Sequence, residues 1–277
     1  IRGIMAHMGA GDEAVTTRTR RGPLSVVEAG DPAAPALVLL HGIGSSGDAF
    51  RAQMPAFADR WHLLAPDAPG YGESDDPATD PGIDGFADAV AGLLDDAGID
   101  RCVVLGVSWG GVIATRFALR HPDRLDALVL ADTSRGSGFD PERAAMMAER
   151  AAEYAADPVG FVRDRTPLLV ADTTPASVVT EVAAIMDSAC RMPGYGYAAA
   201  SLGETDHTSD LGRIHVPTLV VVGEHDRVCP PADSRLLADG IRGAVYIEVP
   251  ASGHLPNQER PEDFNRIVGE WLDGLPG

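Results

Sequence analysis

In Arg101-Cys102-Val103-Val104-Leu105-Gly106-Val107-Ser108-Trp109-Gly110-Gly111 an apolar run empties into a serine with glycine two places to either side. The residues that follow, Val112-Ile113-Ala114-Thr115-Arg116-Phe117-Ala118-Leu119-Arg120, carry apolar side chains at helical spacing. The run reads as a buried strand, so Ser108 sits in a strand-to-helix turn, the G-x-S-x-G pattern of a nucleophile elbow. Such a turn holds the serine in a sparsely allowed backbone conformation. It lifts the hydroxyl above the sheet at the N-terminus of the next helix, and side chains at the glycine positions would collide with neighbouring chain.

Outward from the elbow, strands and helices alternate. Strands are expected at 24–29, 36–40, 61–65 and 127–131, and helices at 48–59 and from Phe86 to near Gly98. Ala36-Leu37-Val38-Leu39-Leu40 is apolar throughout, as a central parallel strand covered on both faces should be, and it runs into His41-Gly42-Ile43-Gly44-Ser45-Ser46-Gly47. After Asp132 the alternation stops. Helical patterns cover 141–156, 159–171 and 175–191, with a looser one over 195–202. Alternation resumes with strands at 216–222 and 245–249 and helices at 232–241 and 261–272. This pattern predicts an α/β fold with a mostly parallel sheet, helices on both faces, and an inserted all-helical segment. The expected division is a core of residues 23–133 and 211–277, and an insertion of residues 134–210. Residues 1–22 read as a flexible tail or an artificial extension.

Composition bounds the partners. The 277 residues suffice for one large core with an insertion, and 45% hydrophobic with 23% charged residues is ordinary for a globular chain. A net charge of −19 argues against nucleic acid or an anionic membrane surface, both of which need a cationic face. All 22 basic residues are arginine, a compositional bias with no functional reading. Cys102, Cys190 and Cys229 lack metal-ligand spacing and read as reduced thiols of a cytoplasmic protein. No apolar run approaches a membrane span. The expected partner is a small-molecule substrate, with self-association left open, and neither a metal nor another cofactor is expected.

A serine hydroxyl needs a base, and the base needs a group that fixes its tautomer. In a parallel sheet these belong in loops at the C-terminal ends of strands. His254, in Ala251-Ser252-Gly253-His254-Leu255 after the last strand, is the candidate base among eight histidines. His225 shares the preceding loop with Asp226, His41 opens the glycine loop, and His62, His121, His207 and His215 read as element-edge residues with surface roles. Asp226 in Gly223-Glu224-His225-Asp226-Arg227 is the candidate acid, giving the chain order Ser, Asp, His. Asp132, at the tip of an earlier strand, is the alternative acid. Donors to an oxyanion are expected from the backbone N–H groups of Ile43 and Trp109.

His41-Gly42-Ile43-Gly44, the loop from Asp67 to Asp75, Gly106-Val107-Ser108-Trp109-Gly110-Gly111, Gly223-Glu224-His225-Asp226 and Gly253-His254 together resemble the α/β-hydrolase superfamily. Leu130-Ala131-Asp132-Thr133 and the stretch from Gly194-Tyr195 to Asp210-Leu211 are most similar to 3-oxoadipate enol-lactonase-like esterases. The resemblance implies that residues 134–210 form a cap over the active site. Many relatives carry an arginine where Ala68-Pro69 follows Asp67, so no role passes to that position.

The expected reaction is hydrolysis of a carboxylic ester or lactone of a small, partly apolar substrate through an acyl-enzyme. Three alternatives remain: carbon–carbon bond hydrolysis of a β-diketone or ring-cleavage product, acyl transfer or peracid formation, and a non-catalytic binding protein. An aspartate-nucleophile mechanism is excluded by Ser108. Phe139, Met147, Phe161, Leu169, Met186 and Tyr195 are the candidate substrate-pocket residues. Arg135, Arg143, Arg163, Arg165 and Arg191 are candidates to bind a substrate carboxylate.

Overall fold

The central strands form where β-branched and leucine side chains run without an acidic or arginine side chain, and those runs are buried throughout. A computed structural model describes residues 16–275. Its strands are β1 Thr17–Arg21, β2 Leu24–Ala29, β3 Ala36–Leu40, β4 His62–Pro66, β5 Cys102–Val107, β6 Leu125–Ala131, β7 Thr218–Gly223 and β8 Val245–Val249. They form one sheet in the order β1-β2-β4-β3-β5-β6-β7-β8. The β1–β2 and β2–β4 pairs are antiparallel and all others parallel. Every residue of β3, β4, β5 and β7 is buried, as expected for strands covered on both faces.

The helices are α1 Met54–Phe57, α2 Gly82–Ala97, α3 Trp109–Arg120, α4 Pro141–Ala156, α5 Pro158–Arg165, α6 Ala176–Ala189, α7 Gly194–Glu204, α8 Pro231–Gly240, α9 Pro256–Glu259 and α10 Pro261–Asp273. Between β6 and β7 the chain is helical, α4 to α7, apart from an isolated bridge between Gly136 and Asp206. Among the described residues no helix is long and apolar enough to cross a membrane.

Several expectations need correction. Residues 17–21, expected within a tail, form β1 and turn into β2 through Gly22 at φ +53°. Polar cross-strand pairs hold this strand: Arg21 donates to Glu28 at 2.8 and 3.0 Å, and Arg18 reaches the buried Asp67 at 2.8 Å. Residues 1–15 lie outside the described residues. The helix expected over 48–59 is a 3-10 turn, Gly47–Phe50, followed by the four-residue α1 with Pro55 in its first turn. The helix expected over 159–171 ends at Arg165, where Pro167 removes a backbone donor and a 3-10 turn takes over.

Candidate active site

The loops leaving β3, β5, β7 and β8 converge at the C-terminal edge of the sheet. Ser108 lies between β5 and α3 with φ +55° and ψ −120°, a strained conformation for a side chain with a Cβ. The neighbouring chain makes that turn possible only with glycine. A Cβ on Gly110 would lie 2.1 Å from the Leu40 carbonyl oxygen, and one on Gly106 2.3 Å from the Gly110 oxygen. The Ser108 amide donates to Ala131 at 2.9 Å, and Thr133 Oγ1 donates to the Ser108 carbonyl at 2.6 Å.

The structure brings together Ser108, His254 and Asp226 from loops 146 and 28 residues apart. His254 Nε2 is 2.8 Å from Ser108 Oγ, and Nδ1 is 2.8 Å from Asp226 Oδ2. With Nδ1–H donating to the carboxylate, the Nε2 lone pair faces the serine hydroxyl. The other Asp226 oxygen accepts from the amides of Val228 at 2.8 Å and Cys229 at 3.0 Å. All three side chains are buried.

Asp132, the alternative acid, is not bonded to the imidazole. Its Oδ1 accepts from the Gly223 amide at 2.8 Å, while Oδ2 is buried without a partner. One oxygen of Asp132, one of Asp226 and one nitrogen of His254 nevertheless lie within 4.8 Å of one another. Burial, and then the charge of Asp226, push the Asp132 carboxyl well above the usual carboxylate range. Both causes disfavour a charged carboxylate at Asp132.

The amides of Ile43 and Trp109 have no acceptor among the described residues, and both residues line the cavity beside Ser108. Gly42 brings the first loop close, since a Cβ there would sit 3.1 Å from the Ser108 Cβ. His41 orders this loop. Its Nδ1 donates to the Gly42 carbonyl at 2.8 Å and its Nε2 accepts from the Ala68 amide at 2.9 Å, a pattern only the neutral ring can make. Burial lowers its pKa in agreement.

A cavity of about 440 Å³ opens above Ser108 and His254. Of the candidate pocket residues, Met147, Leu169, Met186 and Tyr195 line it. Phe139 and Phe161 do not. The Phe139 ring is covered by the guanidiniums of Arg135 and Arg143 at 4.4 and 5.5 Å, and Phe161 packs edge-on against Tyr154 and Tyr195. Of the expected carboxylate-binding arginines, Arg143 and Arg165 line the cavity. Arg163 is exposed and pairs with Asp164, Arg191 is spent on Asp76 and two backbone carbonyls, and Arg135 donates to Thr208.

Sequence reasoning missed two residues. Glu259 is buried and its carboxylate accepts from the amides of Gly253 and Leu255 at 3.0 Å and of Ala171 at 2.8 Å, clamping the His254 loop. Nothing in the local pattern marks it. Arg150 lines the cavity, and its place three and four residues after Met147 and Met146 on one stripe of α4 was the available signal. Two of the four histidines expected at the surface, His62 and His207, are instead buried.

A sheet of this order with a strained serine turn at the end of β5 defines a class, and sequence comparison agrees. The profile of the alpha/beta hydrolase family matches residues 37–267, and the chain belongs to that family. It is similar to 3-oxoadipate enol-lactonase 2 of Acinetobacter baylyi, 27% identical over 237 residues that span 84% of this chain and 87% of the relative. A pimeloyl-(acyl-carrier protein) methyl ester esterase of Chromobacterium violaceum is 31% identical over 245 residues, 86% of this chain and 94% of that protein. Among solved structures, a malate-bound thermophilic esterase from Thermogutta terrifontis superposes with a TM-score of 0.82. It is 28% identical, over 95% of this chain and 99% of that one.

Proposed function

We propose that the chain hydrolyses a carboxylic ester or lactone of a small, partly apolar substrate through an acyl-enzyme. The observation that carries this reading is the continuous relay from Ser108 Oγ through His254 to Asp226, with 2.8 Å at each link, opening into the cavity. The esterase and lactonase names of its relatives support the same class of bond. His254 Nε2 takes the hydroxyl proton as Ser108 Oγ attacks the carbonyl carbon, and Asp226 stabilises the imidazolium. The amides of Ile43 and Trp109 receive the charge that develops on the carbonyl oxygen. His254 then returns the proton to the leaving alkoxide. A water deprotonated by the same nitrogen attacks the acyl carbon, and Ser108 leaves with the proton. The helices α4 to α7 act as a cap that supplies much of the cavity wall and keeps bulk water from the acyl-enzyme.

The test is Ser108→Ala against a panel of chromogenic esters and lactones. Loss of kcat on the order of 10⁶-fold is expected. Labelling of Ser108 in the native protein by a serine-directed phosphonate, absent in His254→Ala, separates catalysis from binding alone. Hydrolysis that survives the serine substitution undiminished would overturn the assignment.

A further inference from the structure

The cavity above Ser108 differs in charge from the rest of the molecule. The chain carries a net charge of −19, yet this cavity is lined by Arg143, Arg150, Arg165 and Arg227 and by no aspartate or glutamate. Two of these cations are already neutralised. Arg143 pairs with Asp233 at 2.7 Å, and Arg227 pairs with Asp172 at 3.1 Å while donating to the Val170 carbonyl. Arg150 and Arg165 are not. Among the described residues neither guanidinium has a carboxylate within 4.0 Å, and Arg165 has no hydrogen-bond acceptor at all. Arg150 reaches only the thioethers of Met146 and Met147, at 3.3 and 3.9 Å.

Both guanidiniums are half-buried, and withdrawing a guanidinium from water without a partner is costly, the more so for Arg165 with a second cation alongside. The strain registers at Arg165, whose pKa is drawn down to about 10 by burial and by the neighbouring Arg150. A solvent-facing arginine would show neither effect, as Arg163 on the same helix illustrates: it is 71% exposed and paired with Asp164. An anion lodged between the two guanidiniums relieves both costs at once, and a carboxylate matches the planar fork of an arginine. The remaining wall is largely apolar, including Leu168, Leu169, Val182, Ile185 and Met186, which suits the hydrocarbon that joins such a carboxylate to the reacting carbonyl.

We propose that Arg150 and Arg165 form a carboxylate-binding subsite, so that the preferred substrate is an ester or lactone carrying a free carboxylate remote from the scissile bond. This rests on Ser108 acting as the nucleophile. The carboxylate takes no part in the bond change. It anchors one end of the substrate, and binding energy gained there orients the carbonyl at Ser108.

A matched pair of substrates tests it: the mono-p-nitrophenyl ester of a short linear diacid, and the same ester with the distal carboxylate methylated. The native protein should prefer the free acid by about 10- to 100-fold in kcat/KM, the range of a charge-assisted hydrogen-bond pair. Arg165→Gln should abolish that preference, mainly through KM. Arg150→Gln should do the same to a smaller degree and serves if the first variant does not fold. Arg165→Lys, which keeps the charge and loses the fork, should fall between. Equal rates on the two esters in the native protein overturn the subsite. A stronger preference for a phosphate-ended analogue overturns the carboxylate assignment. Hydrolysis of the methylated ester, or phosphonate labelling of Ser108, shows that the catalytic reading survives such a result. If neither occurs, both readings fall together.

Discussion

Two carboxyl groups stand within reach of one imidazole, and their surroundings separate them. Asp226 is held by the Val228 and Cys229 amides and accepts from His254 Nδ1, all interactions that favour a charged carboxylate. Asp132 has one amide donor, a buried oxygen with none, and Asp226 as a neighbour, and burial and that neighbour favour its neutral form and raise its pKa. Asp226→Asn should therefore lower kcat by about 10⁴-fold, whereas Asp132→Asn, which retains an acceptor for Gly223, should stay within about tenfold. The same residue makes a stability prediction. An unfolded aspartate releases its proton near pH ~3.9, while the folded Asp132 holds it to much higher pH. The unfolded state thus binds fewer protons above that pH, and stability is lost as pH rises. Asp132→Asn should be more stable than the native protein at pH 7. The gap in Tm should shrink as the pH is brought down toward 4, and a gap independent of pH would contradict the assignment.

At the level of elements, the loop between β8 and α9 carries the base but does not hold itself in place. Its support comes from Glu259 at the end of α9 and from the inserted segment. The His254 amide donates to Leu169 at 2.9 Å, and a Cβ on Gly253 would lie 2.5 Å from the Ala171 nitrogen. The close approach of the two backbones is what demands glycine there. Glu259→Gln replaces an acceptor by a group half of which donates, leaving at least one of the Gly253, Leu255 and Ala171 amides unpaired. A loss of about 1–3 kcal/mol in unfolding free energy is expected, with kcat reduced more than KM is changed. Urea denaturation and steady-state kinetics on one chromogenic ester check both. An unchanged kcat would mean that the loop is positioned without the glutamate.

At the scale of the whole molecule, the helices between β6 and β7 meet α3 and the serine turn through specific polar contacts. Trp109 lies fully buried beneath Ser108, stacks edge-on to Phe86 at 4.7 Å, and donates from Nε1 to Ser201 of α7 at 3.0 Å. His207, just beyond α7, donates from Nε2 to the Val112 carbonyl of α3 at 3.2 Å. Burial draws its pKa from 6.5 down to about 4. Between these values the unfolded chain binds the proton and the folded one does not, so stability falls as pH drops from about 6.5 toward 4. The full shift corresponds to up to about 3 kcal/mol. Chemical denaturation at pH 7.5 and 5 should show a larger acid loss in the native protein than in His207→Asn. Equal losses would remove His207 as the cause.

How much of this was legible in the sequence depends on the range over which each feature is decided. The strand–helix alternation, the break after Asp132, the elbow around Ser108 and the candidates Asp226 and His254 all follow from residues read locally. Apolar periodicity and glycine placement act through the nearest turns of the chain. Strand β1 was hidden because its sequence, Thr17-Arg18-Thr19-Arg20-Arg21, is polar, and it is held by partners 7 to 55 residues away. Only the tertiary structure settled which carboxylate meets His254, that Glu259 clamps the loop, and which arginines enter the cavity. Those outcomes turn on distances between segments far apart in sequence and on burial, and both arise only when the sheet and the inserted helices close around one edge.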